Sequence, residues 1–279
     1  MICRPAVTRR LLLVSLVPLV TLPAAWATVP TAAAELNGLL PTPLLLVGEL
    51  HDAPEHQALQ RDAVRQLSAR GELAAVVLEM VEQGRTTAGL PASAGEADVR
   101  RTLDWTGERN TGGWPWGTYG PVVMAAVGAG VPVLGGNLPR AQMRAAMADA
   151  SLDAALPPEA LQRQREAIRE GHCNLLPDSQ IAPMTRIQLA RDRAMAGTAQ
   201  SSLAPGRTVL LIAGNGHVQR DLGVPRHLPA GQPHRVVMAL SGDAAAAAQP
   251  DPAQADRIWI TPPRPEKDHC AEMRQQMGR

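Results

Sequence analysis

Phenylalanine is absent from this chain, Tyr119 and Lys267 are the only tyrosine and lysine, and aromatic residues make up just 2% of it. Arginine carries nearly all the positive charge and alanine is abundant. A bias of that kind follows from GC-rich coding and assigns no function. Charge of one sign is also missing: the formal net charge is +1. No strong field therefore points to nucleic acid or an anionic membrane surface as partner. No repeat of solenoid length is visible. The longest apolar run, "LLLVSLVPLVTL" (11–22), is too short to span a bilayer as a stable helix. Cysteine is scarce, and none directly follows that run, so an acylation site for lipid anchoring is missing there.

The N-terminus reads as a targeting segment. A basic stretch, "MICRPAVTRR", precedes the apolar run, and "AWA" (25–27) fits the small-x-small cleavage rule. The expectation is a signal peptide over 1–27, cleaved after Ala27, and a periplasmic or secreted mature protein. The adjacent Arg9 and Arg10 also fit a twin-arginine signal, though the plain secretory reading is preferred. Cys173 and Cys270 remain after cleavage. An oxidising compartment allows them to pair, and two free thiols are the alternative.

Residues 28–43 are rich in Ala, Pro and Thr and read as a flexible leader. The remainder, 44–279, reads as a single α/β domain. Short apolar runs at 44–49, 74–79, 131–136, 207–213, 235–240 and 257–261 predict strands covered on both faces. Between them, 53–69, 120–129, 139–149, 157–170 and 179–201 carry helical patterns. Asp52 and Glu55 form a candidate capping box before the first. Segment 242–256 reads as a surface loop, and the tail after Thr261 is Pro-rich and charged. Alternation of this kind predicts a largely parallel central sheet flanked by helices.

One short pattern recurs. Gly48-Glu49-Leu50-His51 follows the first strand, and Gly214-Asn215-Gly216-His217 follows the strand "TVLLIA". Glycine permits a sharp turn out of a parallel strand. The histidine three residues on then stands above the carboxyl edge, where open α/β sheets bind ligands. The second strand ends in Glu79 and the third in Gly135-Gly136-Asn137. Two imidazoles with Glu49 or Glu79 could hold a divalent transition metal or serve as an acid/base set. The bland alternative has His51 bonding a turn and Glu49 pairing with an arginine such as Arg191.

The segments "LLLVGELHDAPEHQALQ", "VVLEM", "WPWGTYGPVV", "PVLGGNLPR", "GHCNLLPD", "RDRAMA", "LLIAGNGHVQRDLGVP" and "ADRIWIT" together resemble, in this order, the ChaN-like family of haem-binding uptake proteins. That family lies within the Tiki/TraB/erythromycin-esterase group, which shares paired Gly-x-x-His motifs. The resemblance runs from about residue 44 to 270. It implies an α/β fold, haem as the bound group, and a role in bacterial haem or iron uptake, with an outer-membrane receptor as a candidate partner. The wider group implies metal-dependent hydrolysis as the alternative, with Glu49, His51, Glu79 and His217 as the catalytic set and His51 and His217 with Glu49 or Glu79 holding the ion; under the haem reading, Tyr119 or a histidine ligates the iron. The residues carried over are Glu49, His51, Glu79, Tyr119, Asn137, His172, Arg191, Asp192 and His217. The missing lipid-anchoring cysteine departs from those relatives that are lipoproteins.

Given that resemblance, the aromatic cluster Trp114, Trp116 and Tyr119 offers walls for a porphyrin and a phenol to ligate iron. The alternative is that the tryptophans anchor a Gly/Pro-rich loop. Arg191, on the apolar side of its helix with Ile187 and Met195, needs an anion. Glu49, Glu79, a haem propionate and a substrate carboxylate are the candidates. Asp192 faces elsewhere and pairs locally. His172 is a candidate third imidazole. His56, His227, His234 and His269 read as solvated. A shallow sheet edge would bury only part of a porphyrin, which makes a homodimer sharing the ligand a further expectation.

Overall fold

A computed structural model describes residues 36, 38–105, 113–242, 251–265 and 267–276. The expected signal peptide over 1–27 and most of the 242–256 loop lie outside them. All six predicted strands form: β1 (Leu44–Glu49), β2 (Leu73–Glu82), β3 (Val133–Asn137), β4 (Thr208–Gly214), β5 (Arg235–Ser241) and β6 (Arg257–Thr261). They make one sheet in the order β3-β2-β4-β1-β5-β6, and every pairing is parallel. The interior strands are mostly apolar because helices cover both faces, with Glu49 and Glu79 placed toward their carboxyl ends.

Successive side chains of a strand face opposite ways, and the core divides accordingly. Leu45, Val47, Val76, Leu78, Leu210 and Ile212 point into one core. Leu44, Leu46, Val77, Val209 and Leu211 point into the other. The first is closed by α1 (Pro54–Ala69), α2 (Glu96–Thr102) and α3 (Trp116–Gly128). The second is closed mainly by the long α6 (Asp178–Ser201), through Met195, Ala196 and Ala199. A third cluster, with Leu138, Leu152, Leu156 and Leu189, holds α4 (Met143–Ala148) and α5 (Pro158–Gly171) onto α6. Among the described residues no helix is long and apolar enough to cross a membrane.

The topology sets the site. β1 leads through α1 to β2 on one side, while its neighbour β4 leads to β5 on the other. The two outgoing chains turn onto opposite faces of the sheet, α1 into the first core and Val218 into the second, which leaves a crevice at the carboxyl ends of these adjacent strands. The two Gly-x-x-His segments begin inside the ends of β1 and β4 and run on past them, the second into a single helical turn, α7 (Asn215–Val218).

Several expectations need correction. The leader is not loose throughout 28–43: Leu36 and Leu39 are buried in the first core, and Thr42 accepts a bond from Thr208 Oγ1. Asp52 does not cap α1. The cap position is Ala53, followed by a proline suited to a helix start, and Asp52 instead binds Arg264 and His269 of the tail. The tail also contains a helix, α8 (His269–Gln276), tied to the α5–α6 turn by a Cys173–Cys270 disulfide. His56 is fully buried, not solvated. It accepts from the Leu50 amide through Nδ1 at 3.0 Å and donates through Nε2 to Thr261 Oγ1 at 3.0 Å. Burial and the neutral tautomer this geometry needs push its pKa down. His227 is half-buried, and burial pushes it down to about 4.

Candidate functional site

The two Gly-x-x-His segments meet because their glycines make room for each other. A Cβ on Gly48 would lie 2.3 Å from the Asn215 side chain and 2.5 Å from that of Val218. A Cβ on Gly214 would lie 2.8 Å from His51 Nε2. Both glycines are within their strands, with Gly48 opposite Ala213 and Glu49 opposite Gly214. Glycine is needed here for close approach rather than for a turn, which corrects the reason given for it above.

His51 and His217 converge on Glu79. His51 Nε2 is 3.9 Å from Glu79 Oε2, and His217 Nε2 is 3.4 Å from Oε1. Each ring turns its Nδ1 to a second carboxylate: His51 to Glu49 at 2.7 Å, His217 to Asp192 at 2.6 Å. The result is an alternating row, Glu49–His51–Glu79–His217–Asp192, across the carboxyl edge of the sheet. Glu49 also accepts from Tyr119 Oη at 2.6 Å, Gln57 Nε2 at 2.7 Å and Gln60 Nε2 at 2.6 Å. Glu79 accepts from the Gly214 amide at 2.8 Å.

Burial opposes charge in the row, and at His217, His51 and Glu79 the pairing outweighs it. Burial alone would lower His217, but Glu79 and Asp192 push it up to about 10. His51 is raised against burial by Glu49 and Glu79. Burial would raise Glu79, yet His217, His51 and the Gly214 amide hold it well below the usual carboxylate range. Asp192, fully buried, goes the other way, pushed up to about 6 by burial. His51 is the one member open to solvent, with 39% of its side chain exposed.

This row does not form the expected metal centre. Among the described residues no three His, Cys, Asp or Glu side chains converge as a cage. His51 Nδ1 and both nitrogens of His217 lie 2.6–3.4 Å from carboxylate oxygens, and a ring nitrogen that donates to a carboxylate offers no lone pair to a cation. Tyr119, the expected iron ligand, is buried at 1% exposure, and its hydroxyl donates to Glu49. Burial and Glu49 push that phenol far above its ordinary pKa, away from the phenolate a metal would need.

A cavity of about 350 Å³ lies next to the row, lined by Met80, Trp114, Asn137, Leu138, Met143 and Arg191 among others. Trp114 is the shared wall: its ring also packs against His51, centroids 4.4 Å apart. Trp116 turns away, edge-on to buried Trp105 at 5.1 Å and beneath the Arg100 guanidinium at 5.5 Å, so it anchors the loop. Arg191 reaches neither Glu49 nor Glu79. Its Nε is buried without a partner, as is Asn137 Oδ1 in the same cavity. The carboxylates Arg191 was expected to meet are held by the row. His172 does not join either group; its Nδ1 bonds Ile168 O of its own helix at 2.7 Å.

The residues missed are those supporting the row. Gln57 and Gln60 stand on the buried stripe of α1 with Ala63, Val64 and Leu67. Amides on an apolar stripe are a readable signal, since such groups need partners. Gln188, one turn before Asp192 on α6, also faces His217; Asp192 itself was expected to pair locally and instead meets His217, 25 residues away. Trp105, donating to Trp114 O at 2.9 Å, carried no pattern that marked it.

A model of the family described as haem-binding uptake, Tiki superfamily, ChaN matches residues 36–228. No curated protein matches the sequence. Among solved structures, that of ChaN of Campylobacter jejuni with cofacially bound heme is similar at a TM-score of 0.65 and 22% identity, covering 79% of this chain and 88% of that one. An erythromycin esterase EreC mutant in its open conformation gives a TM-score of 0.44 at 15% identity, over 72% of this chain and 70% of that one. The type III effector HopBA1 gives 0.40 at 16%, over 71% and 76%. The Campylobacter protein shares the fold; the other two are too distant to carry an argument.

Proposed function

We propose a haem-binding function in uptake from the premise that this chain belongs to the haem-binding uptake family of the Tiki superfamily, ChaN. The supporting observation is the cavity beside the histidine row, whose contents fit the group. Trp114, Met80, Leu138 and Met143 supply aromatic and apolar wall, and Arg191 supplies a cation whose Nε has no hydrogen-bond partner. Haem would be held against Trp114, with its propionates toward Arg191 and Asn137. When bound it supplies a redox-active iron, for which the thioethers of Met80 and Met143 are soft donors at this wall. The row would brace Trp114 through His51 and Tyr119, which lies 5.8 Å from it by ring centroids.

At about 350 Å³ the cavity is at the lower end of the ~300–1,000 Å³ usual for small-molecule pockets. A tetrapyrrole would enter by one edge, and a second copy of the chain would cover the rest. Export through the 1–27 segment and receipt of haem from an outer-membrane receptor belong to the same reading. The test is a hemin titration. A saturable Soret band of fixed stoichiometry, weakened about tenfold by Trp114→Ala, is expected. An absorbance that climbs linearly without saturation would remove the proposal. Cell fractionation, with the mature chain beginning at Thr28, tests the export step.

A further inference from the structure

Three helices form a hood at the carboxyl edge of the sheet. α4, α5 and the first half of α6 pack on one another through Ala146, Leu152, Leu156, Ala160 and Leu189, and α6 enters the second core only from Met195 onward. Asp192 meets the row at the carboxyl edge and the residues after it lie along the sheet, so those before it project past that edge. On the side of β3 and β4, Leu138 and Leu222 share the core of the hood, and Arg163 pairs with Asp221. On the side of β1, the C-terminal tail reaches it. Thr261 at the end of β6 accepts from buried His56, Arg264 and His269 pair with Asp52, and Cys270 is bonded to Cys173 in the α5–α6 turn. Asp52 follows His51, the row member open to solvent. The tail therefore joins the turn that carries His51 to the hood that carries Asp192. Both cysteines are half-buried, within reach of a small thiol.

We propose that the Cys173–Cys270 disulfide is a redox-controlled clasp on the crevice. Closed, it holds the hood toward the β1–α1 turn and narrows the way in. Opened by a dithiol, it frees the hood on the β1 side while the fastenings beside β3 and β4 remain. The step is a thiol–disulfide exchange: the dithiol gives two electrons and two protons, the S–S bond becomes two thiols, and the dithiol closes to its own disulfide. The clasp governs entry and release at the site proposed above, and its geometry does not depend on which ligand the crevice takes.

Hydrogen exchange of the ligand-free chain tests it, with the disulfide intact and after reduction by dithiothreitol, alkylation by iodoacetamide and desalting. Amides of α4, of the first half of α6 and of 50–56 should exchange about tenfold faster once the bond is cut. Amides of 208–222 should keep their rates. The double variant Cys173→Ser with Cys270→Ser should match the reduced chain, with or without dithiothreitol. Arg264→Gln keeps the disulfide but loosens the tail at Asp52, and should quicken 50–56 alone. Faster exchange confined to 172–176 and α8 would make the bond a local staple and overturn the proposal. Faster exchange in every element alike, β4 included, would overturn it too. With hemin bound, transfer to apomyoglobin should be about tenfold faster from the reduced chain. Hemin that binds but leaves both forms at one rate would also sink the clasp. If hemin binds neither form, the haem reading falls and exchange alone decides the clasp.

Discussion

Two pairs of consecutive residues separate the histidine row from the cavity beside it. Glu79 belongs to the row and Met80 to the cavity; Asp192 belongs to the row and Arg191 to the cavity. Alternation along β2 and the helical step along α6 send neighbouring side chains to different sides. The two regions share their backbone and the Trp114 ring, yet they treat charge differently. In the row, each imidazole lies between two carboxylates of the chain itself. In the cavity, a guanidinium is left unmatched. On the reading proposed above, the row braces the fold, and the cavity, where Arg191 makes no ion pair among the described residues, takes the ligand.

Breaking the row should give the largest effect. Glu79→Ala strips the shared acceptor from two imidazoles and should cost about 3–5 kcal/mol, read as a lowered urea midpoint. An unchanged midpoint would mean that the row holds nothing together.

Alkali attacks the same feature without mutation. His217 is raised from 6.5 to about 10 in the folded chain, so its contribution is full below pH 6.5 and is lost as pH rises toward 10. Melting temperature should fall across that window and should stop doing so in His217→Gln. Arg191 keeps its charge throughout, so whatever protein remains folded should still bind its ligand.

A smaller loss sharpens the contrast. Tyr119→Phe removes one of four bonds to Glu49 and should cost about 1–2 kcal/mol while hemin still gives its Soret band. A lost band with stability unchanged would move Tyr119 from the brace to the ligand.

The smallest effect is expected at Arg191. Arg191→Met should shift stability by less than about 1 kcal/mol, since no ion pair is broken. A large destabilisation there would mean that the guanidinium has an internal role and that the two regions are not distinct.

Much of this was legible in the residues, and the exceptions have physical causes. The strands were readable because parallel strands covered on both faces are nearly continuous apolar runs, as "LLLVG" and "VLLIAG" are. The meeting of His51 with His217 followed from placing both at strand ends. Helix α2 escaped because only Val99 on it is buried, too little for a periodic signal. Helix α8 escaped for a similar reason; its anchor is a disulfide and the ion pairs to Asp52, not an apolar face. His56 looked solvated because its partner, Thr261, is 205 positions away. The Leu50 amide is a local partner, but the strand that covers the ring lies at the far end of the sequence. Arg191 was recognised as needing an anion, but which carboxylates were already committed could only be seen once the chain was folded.

The glycines of the two short motifs carry a consequence for how this chain can change. Gly48 is small on behalf of Asn215 and Val218, and Gly214 is small on behalf of His51. Each turn is shaped by the other's side chains. Transplanting one of them into another scaffold without its counterpart would leave a hollow beside a histidine with nothing to steady it. The two stretches must therefore drift together or stay as they are, although more than 160 residues of chain separate them.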